Sequence, residues 1–295
     1  MATVTSAEKD YTPARATRYA QQARMQTILN YVLLSILAVI FLIPFYVIIR
    51  NGLMPQANLT AFEWVWLPIP PYFQSIQDLL NDPNGNILVG LKNSAIIAIT
   101  QTLGQLILCS LAGYGLARIP YKYSNVVFSL ILVTLMIPSA VTFVPSYVLV
   151  ASFGWVNTFQ GLIIPGLFSG FNTFLFRSFF LGFPKELEEA GMMDGLDHLG
   201  VFLRVVLPNS LGIMMSLGVI TFIGTWNSFL WPLVIGQRTE TWTVQIVLST
   251  FLTAQTVNLP ALFMGATFGI LPLILVFLFM QRYIVEGVKM SGIKG

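Results

Sequence analysis

Five of the chain's twelve acidic residues lie in one short polar stretch between Pro184 and Pro208. They are Glu186, Glu188, Glu189, Asp194 and Asp197. Carboxylates directly after a proline favour a helix start, because proline suits the first turn and the helix dipole stabilises negative charge there. Gly195 follows about two turns later, where a glycine commonly ends a helix. The stretch is therefore predicted to form a short charged helix between two long apolar runs.

One face of this predicted helix is low in relief. Helical spacing places Leu187, Ala190, Gly191 and Asp194 on that face, with the small residues in the middle. A groove in a partner protein could approach the backbone closely there. An ordinary amphipathic helix at the membrane interface would show the same pattern, so the residues alone leave both interpretations open.

The sequence lacks the motifs of several enzyme classes. A nucleotide site needs a glycine-rich loop followed by Lys and Ser or Thr, and after residues 287–292 the lysine position holds Ile293. Neither a His-Glu-x-x-His zinc pattern nor a Gly-x-Ser-x-Gly turn is present. The single histidine, His198, is a poor metal ligand alone, and the single cysteine, Cys109, is predicted to pack as a small hydrophobe. We expect no catalytic residue, no metal site and no bound cofactor.

The composition is that of an integral membrane protein. The 295 residues are 56% hydrophobic and only 9% charged, and the mean hydropathy is +0.77. Six apolar runs can cross a hydrocarbon core about 30 Å thick. They lie at about residues 27–49, 94–117, 126–150, 162–180, 211–231 and 259–283. We predict an all-α membrane protein with six transmembrane helices, in which Pro138, Pro145 and Pro165 bend their spans.

The basic residues predict an orientation. With a cytoplasmic N-terminus, only Arg50, Lys92 and Arg238 of the fifteen lysines and arginines fall on the outer side. Both termini are therefore expected in the cytoplasm, and the first apolar run is expected to be a retained anchor. No charged residue falls near the centre of a predicted span, which disfavours an ion-coupled carrier. The driving energy is expected to come from another protein.

Several of these residues follow the pattern of a known family. Glu189-Ala190-Gly191, then Gly195, then Leu207-Pro208 resemble the cytoplasmic signature loop of ABC importer permeases: Glu-Ala-Ala, three residues, Gly, and a later Leu-Pro. Residues 226–233 and 281–287 are similar to the carbohydrate-uptake branch of the maltose-permease type. Glycine at 191, where the family has a second alanine, costs about 1 kcal/mol of helix propensity.

The resemblance implies a type I ABC importer permease fold in the inner membrane of a prokaryote. It also implies a second, related permease, two ATP-binding subunits that carry ATP and Mg²⁺, and an extracytoplasmic sugar-binding protein, with lipid around them and no nucleic acid. Glu189 would be the charge that contacts the ATPase. The full set of implied ATPase-coupling residues is Glu186, Glu189, Ala190, Gly191, Asp194, Gly195, Leu207 and Pro208.

A sugar pathway needs aromatic faces for C–H surfaces and amide or hydroxyl groups for the sugar hydroxyls. The candidates that offer these groups on the fourth and fifth spans are Asn172, Thr173, Thr221, Trp226, Asn227, Ser228 and Trp231. Most aromatic residues in membranes face lipid or pack between helices, so each candidate also has a structural interpretation.

The expected organisation has four parts. Residues 1–24 form a polar cytoplasmic leader, and residues 25–90 form the first transmembrane helix and an external loop with short helical pieces. Residues 91–285 form the core transmembrane domain with the coupling segment 184–208, and residues 286–295 form a cytoplasmic tail. The function that the resemblance implies is that of a permease subunit that imports a carbohydrate. The main alternative is a permease of the same family for a glycerophosphodiester or polyol. An ion-coupled secondary carrier and a membrane scaffold without substrate are less favoured.

Overall fold

The computed structural model describes residues 13–82, 85–252 and 257–292, with side chains described for residues 22–282 of these ranges. Every regular element in the described ranges is helical. The helices are α1 (Pro13–Gly52), α2 (Gln56–Leu59), α3 (Gln74–Leu80), α4 (Ile87–Arg118), α5 (Ser124–Met136), α6 (Ser139–Ser152), α7 (Phe159–Ile163), α8 (Gly170–Leu181), α9 (Lys185–Met193), α10 (His198–Val201), α11 (Leu207–Asn209), α12 (Leu211–Trp226), α13 (Leu230–Ile235), α14 (Val244–Thr250) and α15 (Leu259–Gly292).

Within the part of the chain that the structure describes, four helical stretches are long and apolar enough to cross a membrane. They are Gln22–Gly52 in α1, α4, Phe159–Leu181 and Leu259–Arg282 in α15. Two bent pairs also qualify: α5 with α6, bent by 102°, and His198–Asn209 with α12, bent by 78°. Counting each pair as one span gives the six crossings predicted, and the all-α membrane architecture is confirmed.

The third predicted span, residues 126–150, is two helices and not one. Helix α5 ends at Met136, and Ile137 is extended, with φ −82° and ψ 118°. Pro138 disfavours helical backbone in the residue before it and has no N–H to donate. Helix α6 therefore starts in a new direction at Ser139, and it continues through Pro145 to Ser152.

The fifth predicted span, residues 211–231, is also shorter than expected. Helix α12 ends at Trp226, and Asn227 closes its last turn by donating its backbone N–H to the Ile223 carbonyl at 3.1 Å. A straight helix would need an N–H at Pro232, which proline lacks. The chain instead begins α13 at Leu230, where a proline in the first turn loses no bond.

The expected leader is part of a helix. Helix α1 begins at Pro13, so residues 13–24 continue directly into the first apolar run. Its Ala, Gln and Arg residues are good helix formers, and extending an existing helix avoids the cost of nucleation. The first twelve residues of the predicted leader lie outside the described part of the chain, as do residues 293–295 of the predicted tail.

The segment between α1 and α4 contains the short helices α2 and α3, in agreement with the short helical pieces predicted there. Arg50, near the end of α1, fixes this segment. Its Nε donates to the Val65 carbonyl at 2.6 Å, and its guanidinium lies over the Trp64 ring at 3.9 Å. The loop is therefore attached to the last turns of the first span.

Helix α4 is the central element of the bundle. It contributes residues to three buried clusters: Leu106, Cys109 and Tyr114 to one, Ile87 and Ala98 to another, and Ile97 to the third. Cys109 is fully buried, as expected for a small hydrophobe. Helix α8 passes close to α4 at Gly113, where a Cβ atom would lie 2.6 Å from Phe176 Cβ and 2.9 Å from the Arg177 backbone nitrogen.

Replacing Gly113 with alanine should therefore destabilise the protein. The new methyl group meets backbone atoms of α8 that cannot move aside, and overpacking of this kind costs about 1–3 kcal/mol. We expect a lower thermal unfolding midpoint for Gly113→Ala. Gly115→Ala is the matched control, because no atom other than those of its chain neighbours and its own helix backbone lies within 4 Å of the position its Cβ would take. An equal loss of stability in both variants would contradict this close approach.

Candidate functional site

The predicted charged helix is present as α9, which we call the coupling helix, residues 185–193. Pro184 precedes it, and Glu186 and Glu188 lie in its first turn. The helix ends at Met193, and Gly195, two residues later, has a φ of +86°, a conformation that other residues rarely adopt. The Gly195 N–H donates to the Met192 carbonyl at 3.0 Å and the Leu196 N–H to the Gly191 carbonyl at 3.1 Å, so the last carbonyls are satisfied.

The faces of the coupling helix differ from the prediction. Glu186, Leu187, Glu189, Ala190 and Asp194 are exposed. Gly191 is buried against the chain itself, where a Cβ would lie 3.2 Å from Val205 Cγ2 and 3.3 Å from Val201 Cγ2. The expectation that a partner would approach the Gly191 backbone is therefore wrong. Glycine at this position lets the coupling helix pack closely on the following segment.

Sequence reasoning missed Glu188 as a separate element of the site. It points away from Glu189 and is only 6% exposed, and its Oε1 lies 3.1 Å from Nε of Arg118. Burial raises the pKa of the Glu188 carboxyl above its ordinary value, while the charges of Arg118, His198 and Lys185 act in the opposite direction. Helical spacing could have revealed it, because Glu188 and Gly191 are three residues apart and share a face.

The second part of the coupling segment packs beneath the coupling helix. Asp197 caps α10 by accepting from the Gly200 N–H at 2.8 Å, and a π-helical turn, Phe202–Val206, connects α10 to α11. Pro208 cannot donate to the carbonyl four residues earlier, and the helix widens just before it. Pro208 is exposed and Leu207 is half-buried. The 78° bend before α12 sets this segment at a steep angle to the axis of α12.

Four of the predicted pathway residues form hydrogen bonds inside the protein and do not line the cavity beside Trp231. Asn172 Nδ2 donates to Gln105 Oε1 at 2.7 Å and to Thr221 Oγ1 at 3.0 Å. Thr173 is fully buried and donates to the Ser169 carbonyl. Trp226 is also buried, and its Nε1 donates to the Gly269 carbonyl at 3.0 Å. These polar groups are satisfied inside the protein, which favours their structural interpretation.

Ser228 and Trp231 line a cavity of about 350 Å³ beside α6 and α12, while Asn227 lies outside its lining and bonds to Gln245. The cavity's full lining is Gln101, Ser139, Thr142, Phe143, Ser146, Pro165, Gly166, Gly224, Thr225, Ser228 and Trp231. None of these lining residues is charged. Sequence reasoning missed the contributions of α4 and α6, because residues on separate spans carry no shared spacing.

The side chains around this cavity are held in place by carbonyl groups. Gln101 Nε2 donates to the Leu162 carbonyl at 2.9 Å, and its Oε1 accepts from Thr225 Oγ1 at 3.2 Å. Trp231 Nε1 donates to the Gly161 carbonyl at 3.1 Å, and its ring meets Phe143 edge to face. The cavity therefore presents a fixed aromatic surface together with amide and hydroxyl groups, the chemistry suited to a polyhydroxylated solute.

The described residues contain no group of three His, Cys, Asp or Glu side chains arranged to hold a metal ion.

Comparison with known proteins gives the site its context. A family model described as "Binding-protein-dependent transport system inner membrane component" matches residues 109–290. The chain belongs to this family. It is a multi-pass permease subunit of an ABC importer, and the predicted kinship with carbohydrate-uptake permeases is confirmed.

Relatives match over most of their length. The chain is 30% identical to the arabinooligosaccharides transport system permease protein AraQ of Bacillus subtilis, over 94% of this chain and 99% of the relative. It is 35% identical to the lactose transport system permease protein LacG of Rhizobium radiobacter, over 66% and 71%. It is 30% identical to the sn-glycerol-3-phosphate transport system permease protein UgpE of Yersinia pestis, over 87% and 94%.

A solved structure supports the type I ABC importer permease fold. It is a bacterial ABC transporter involved in the import of the acidic polysaccharide alginate, and it superimposes on this chain with a TM-score of 0.77 at 22% identity. The superposition covers 89% of this chain and 98% of the other. The broken third span and the bent segment before α12 therefore lie within a fold that a known importer shares.

Replacing Gly195 with valine should loosen the end of the coupling helix. A left-handed backbone costs about 1–2 kcal/mol for a residue with a Cβ, and a loss of this size raises the population of locally opened chain about fivefold to thirtyfold. We expect faster cleavage after Glu186 and Glu189 by endoproteinase Glu-C. Gly182→Ala is the control, because Gly182 has φ −87° and an added Cβ would meet its nearest atom only at 3.6 Å. Equal cleavage rates in the two variants would contradict the role of Gly195.

Proposed function

We propose that this permease subunit forms, together with a second permease, the membrane pathway for a neutral carbohydrate supplied by an extracytoplasmic binding protein. The observation that supports the proposal is the uncharged cavity beside Trp231. Its amide and hydroxyl groups match sugar hydroxyls, and the faces of Trp231 and Phe143 match the C–H surface of a sugar ring.

The compounds named in the relatives' descriptions differ in charge. The names of AraQ and LacG refer to arabinooligosaccharides and lactose, which are neutral, whereas those of UgpE and the solved importer refer to sn-glycerol 3-phosphate and alginate, which are anions. An anion that leaves water needs a cation or several donors around it. The described lining of this cavity offers no lysine or arginine. A neutral oligosaccharide therefore fits better, and a neutral polyol is the second candidate.

The energy for transport comes, in this proposal, from two associated ATP-binding subunits that hold ATP and Mg²⁺, while this chain binds neither. The coupling helix offers them an exposed face with Glu189 at its middle and Glu186 and Met193 beside it, three and four residues away. A cation of the ATPase would meet Glu189. The face would lie in the cytoplasm together with both termini, in agreement with the distribution of basic residues.

The proposed organisation assigns transport to residues 91–285 and the ATPase contact to residues 184–208 within them. Gly195 and Leu207-Pro208 form the turns that connect the coupling helix to α12, so that movement of the coupling helix reaches α12. Movement of the coupling helix with the ATPase would switch the bundle between two arrangements, which requires contacts that differ between the two states. The segment 286–295 is assigned to the cytoplasmic tail.

Shortening Trp231 to alanine should weaken uptake of a neutral sugar. Loss of the aromatic face and of an ordered cavity wall should raise the half-saturating concentration about tenfold, which corresponds to about 1.4 kcal/mol. Thr142→Val should have a smaller effect in the same direction, because it removes one hydroxyl at constant volume. The measurement is uptake of radiolabelled arabinotriose and lactose by cells or proteoliposomes that contain the complete transporter.

Two controls define the outcome. Trp66→Ala removes an exposed indole from the external loop and should leave uptake unchanged. Labelled sn-glycerol 3-phosphate and an alginate oligosaccharide serve as anionic probes and should not be transported. Uptake of an anionic probe in preference to both neutral sugars would refute the proposed substrate class, and normal uptake by Trp231→Ala would refute the role of the cavity.

Reversing the charge at Glu189 should separate this chain from its ATPase. Glu189→Lys places a cation against the partner's cation and removes a charge-assisted contact worth about 1.5–3 kcal/mol when shielded from water. We expect normal membrane insertion, at least tenfold less ATPase recovered by affinity purification, and loss of ATP-dependent uptake. Glu63→Lys makes the same change on the external loop and should retain the ATPase. Full recovery of the ATPase with Glu189→Lys would show that the docking face lies elsewhere.

A further inference from the structure

A buried ion pair joins α4 to the coupling helix. Arg118 is the last residue of α4, and its Nε lies 3.1 Å from Glu188 Oε1, with the two side chains 6% and 8% exposed. Arg118 Nη2 also donates to the carbonyl of Phe183, immediately before the coupling helix begins. One guanidinium therefore holds the chain on both sides of Pro184.

We propose that the Arg118–Glu188 pair is the link through which movement of the coupling helix reaches α4, with both residues acting as positioning residues. The inference rests on the proposed function, because it assumes that an ATPase moves the coupling helix. It adds a division of labour within one helix: the exposed Glu189 contacts the ATPase, and the buried Glu188 connects to the span that forms the centre of the bundle.

Stability alone is a weak explanation for this pair. Taking two charges out of water costs free energy that their attraction only partly returns, and apolar residues of similar size often serve as well. An ion pair differs from an apolar contact because its attraction depends on the distance between the two charges. Nε of Arg118 and Oε1 of Glu188 lie 3.1 Å apart, and neither atom forms a hydrogen bond with another described residue. The pair therefore favours one position of the coupling helix relative to α4.

The surroundings of the pair extend the connection. Tyr114, one turn earlier on α4, packs its ring against Phe180 of α8 at 5.7 Å and against Phe202 of the π-helical turn at 5.0 Å. Its hydroxyl is buried and has no hydrogen-bond partner among the described residues. The end of α4 thus contacts the elements on either side of the coupling helix. A displacement of the helix is transmitted to α4 both through Glu188 and through this aromatic cluster.

The test measures amide hydrogen exchange in the complete transporter, purified with its ATPase subunits, with and without ATP and vanadate. Two segments report the result: residues 185–196 for the hold on the coupling helix, and residues 112–123 for the response of α4. Glu188→Gln and Arg118→Gln should each accelerate exchange in residues 185–196 about tenfold, which lies within the usual range of coupling between sites. Each variant should also abolish the nucleotide-dependent change in residues 112–123. No transported solute is needed, so failure of the substrate proposal leaves this readout intact.

Two further variants separate positioning from general damage. Glu63→Gln makes the same carboxylate-to-amide change at an exposed residue far from this pair, and it should leave exchange in residues 185–196 at the wild-type rate. The double variant Arg118→Gln/Glu188→Gln leaves no unpaired buried charge, so it should assemble even if a single variant does not, and its effect should be no larger than that of either single change. Wild-type exchange in Glu188→Gln, a retained nucleotide response in residues 112–123, or additive effects in the double variant would each overturn the proposal.

Discussion

The position of the coupling helix depends on its buried inner face, which attaches it to the bundle. Glu188 and Gly191 lie on that face, one paired with Arg118 of α4 and the other packed against Val201 and Val205. A short helix with no such contacts would be marginally stable in water. Because its inner face is attached to the bundle, its outer face stays exposed, and in the proposed mechanism a force on that outer face acts on the spans.

Polar groups inside the membrane also have two separate roles: some join spans, and others border the cavity. Polar groups that join spans are satisfied by other protein groups, as with Asn172, Gln105 and Thr221, whereas those around Trp231 border open space. Gln101 does both, since its amide nitrogen holds α7 through the Leu162 carbonyl while its oxygen faces the cavity with Thr225. The wall of the cavity is thus built from the same hydrogen bonds that fix α4 to its neighbours. This arrangement keeps the cavity polar without placing a charge in the membrane.

Much of the fold could be predicted from sequence, because hydropathy reports how many segments cross a membrane and glycine or proline mark local ends. Gly195 and the coupling helix were predicted from such local signals. The break at Pro138 was predicted only as a bend, since the sequence does not show whether a helix resumes in the same direction. The partners of Arg118 and the lining of the cavity could not be predicted, because both depend on which spans pack together. Gly191 was predicted to face a partner protein and is buried instead, because the sequence does not show that the coupling helix packs on the segment that follows it.

In the proposed mechanism, this chain transports a solute only with work delivered to its coupling helix by a separate ATPase. The most direct measurement compares proteoliposomes that contain both permeases and the ATPase subunits with proteoliposomes that contain the permeases alone, with labelled arabinotriose, the binding protein and ATP supplied to each. We expect accumulation above the external concentration only when the ATPase subunits are present. Accumulation by the permeases alone, driven by a proton or sodium gradient, would contradict it.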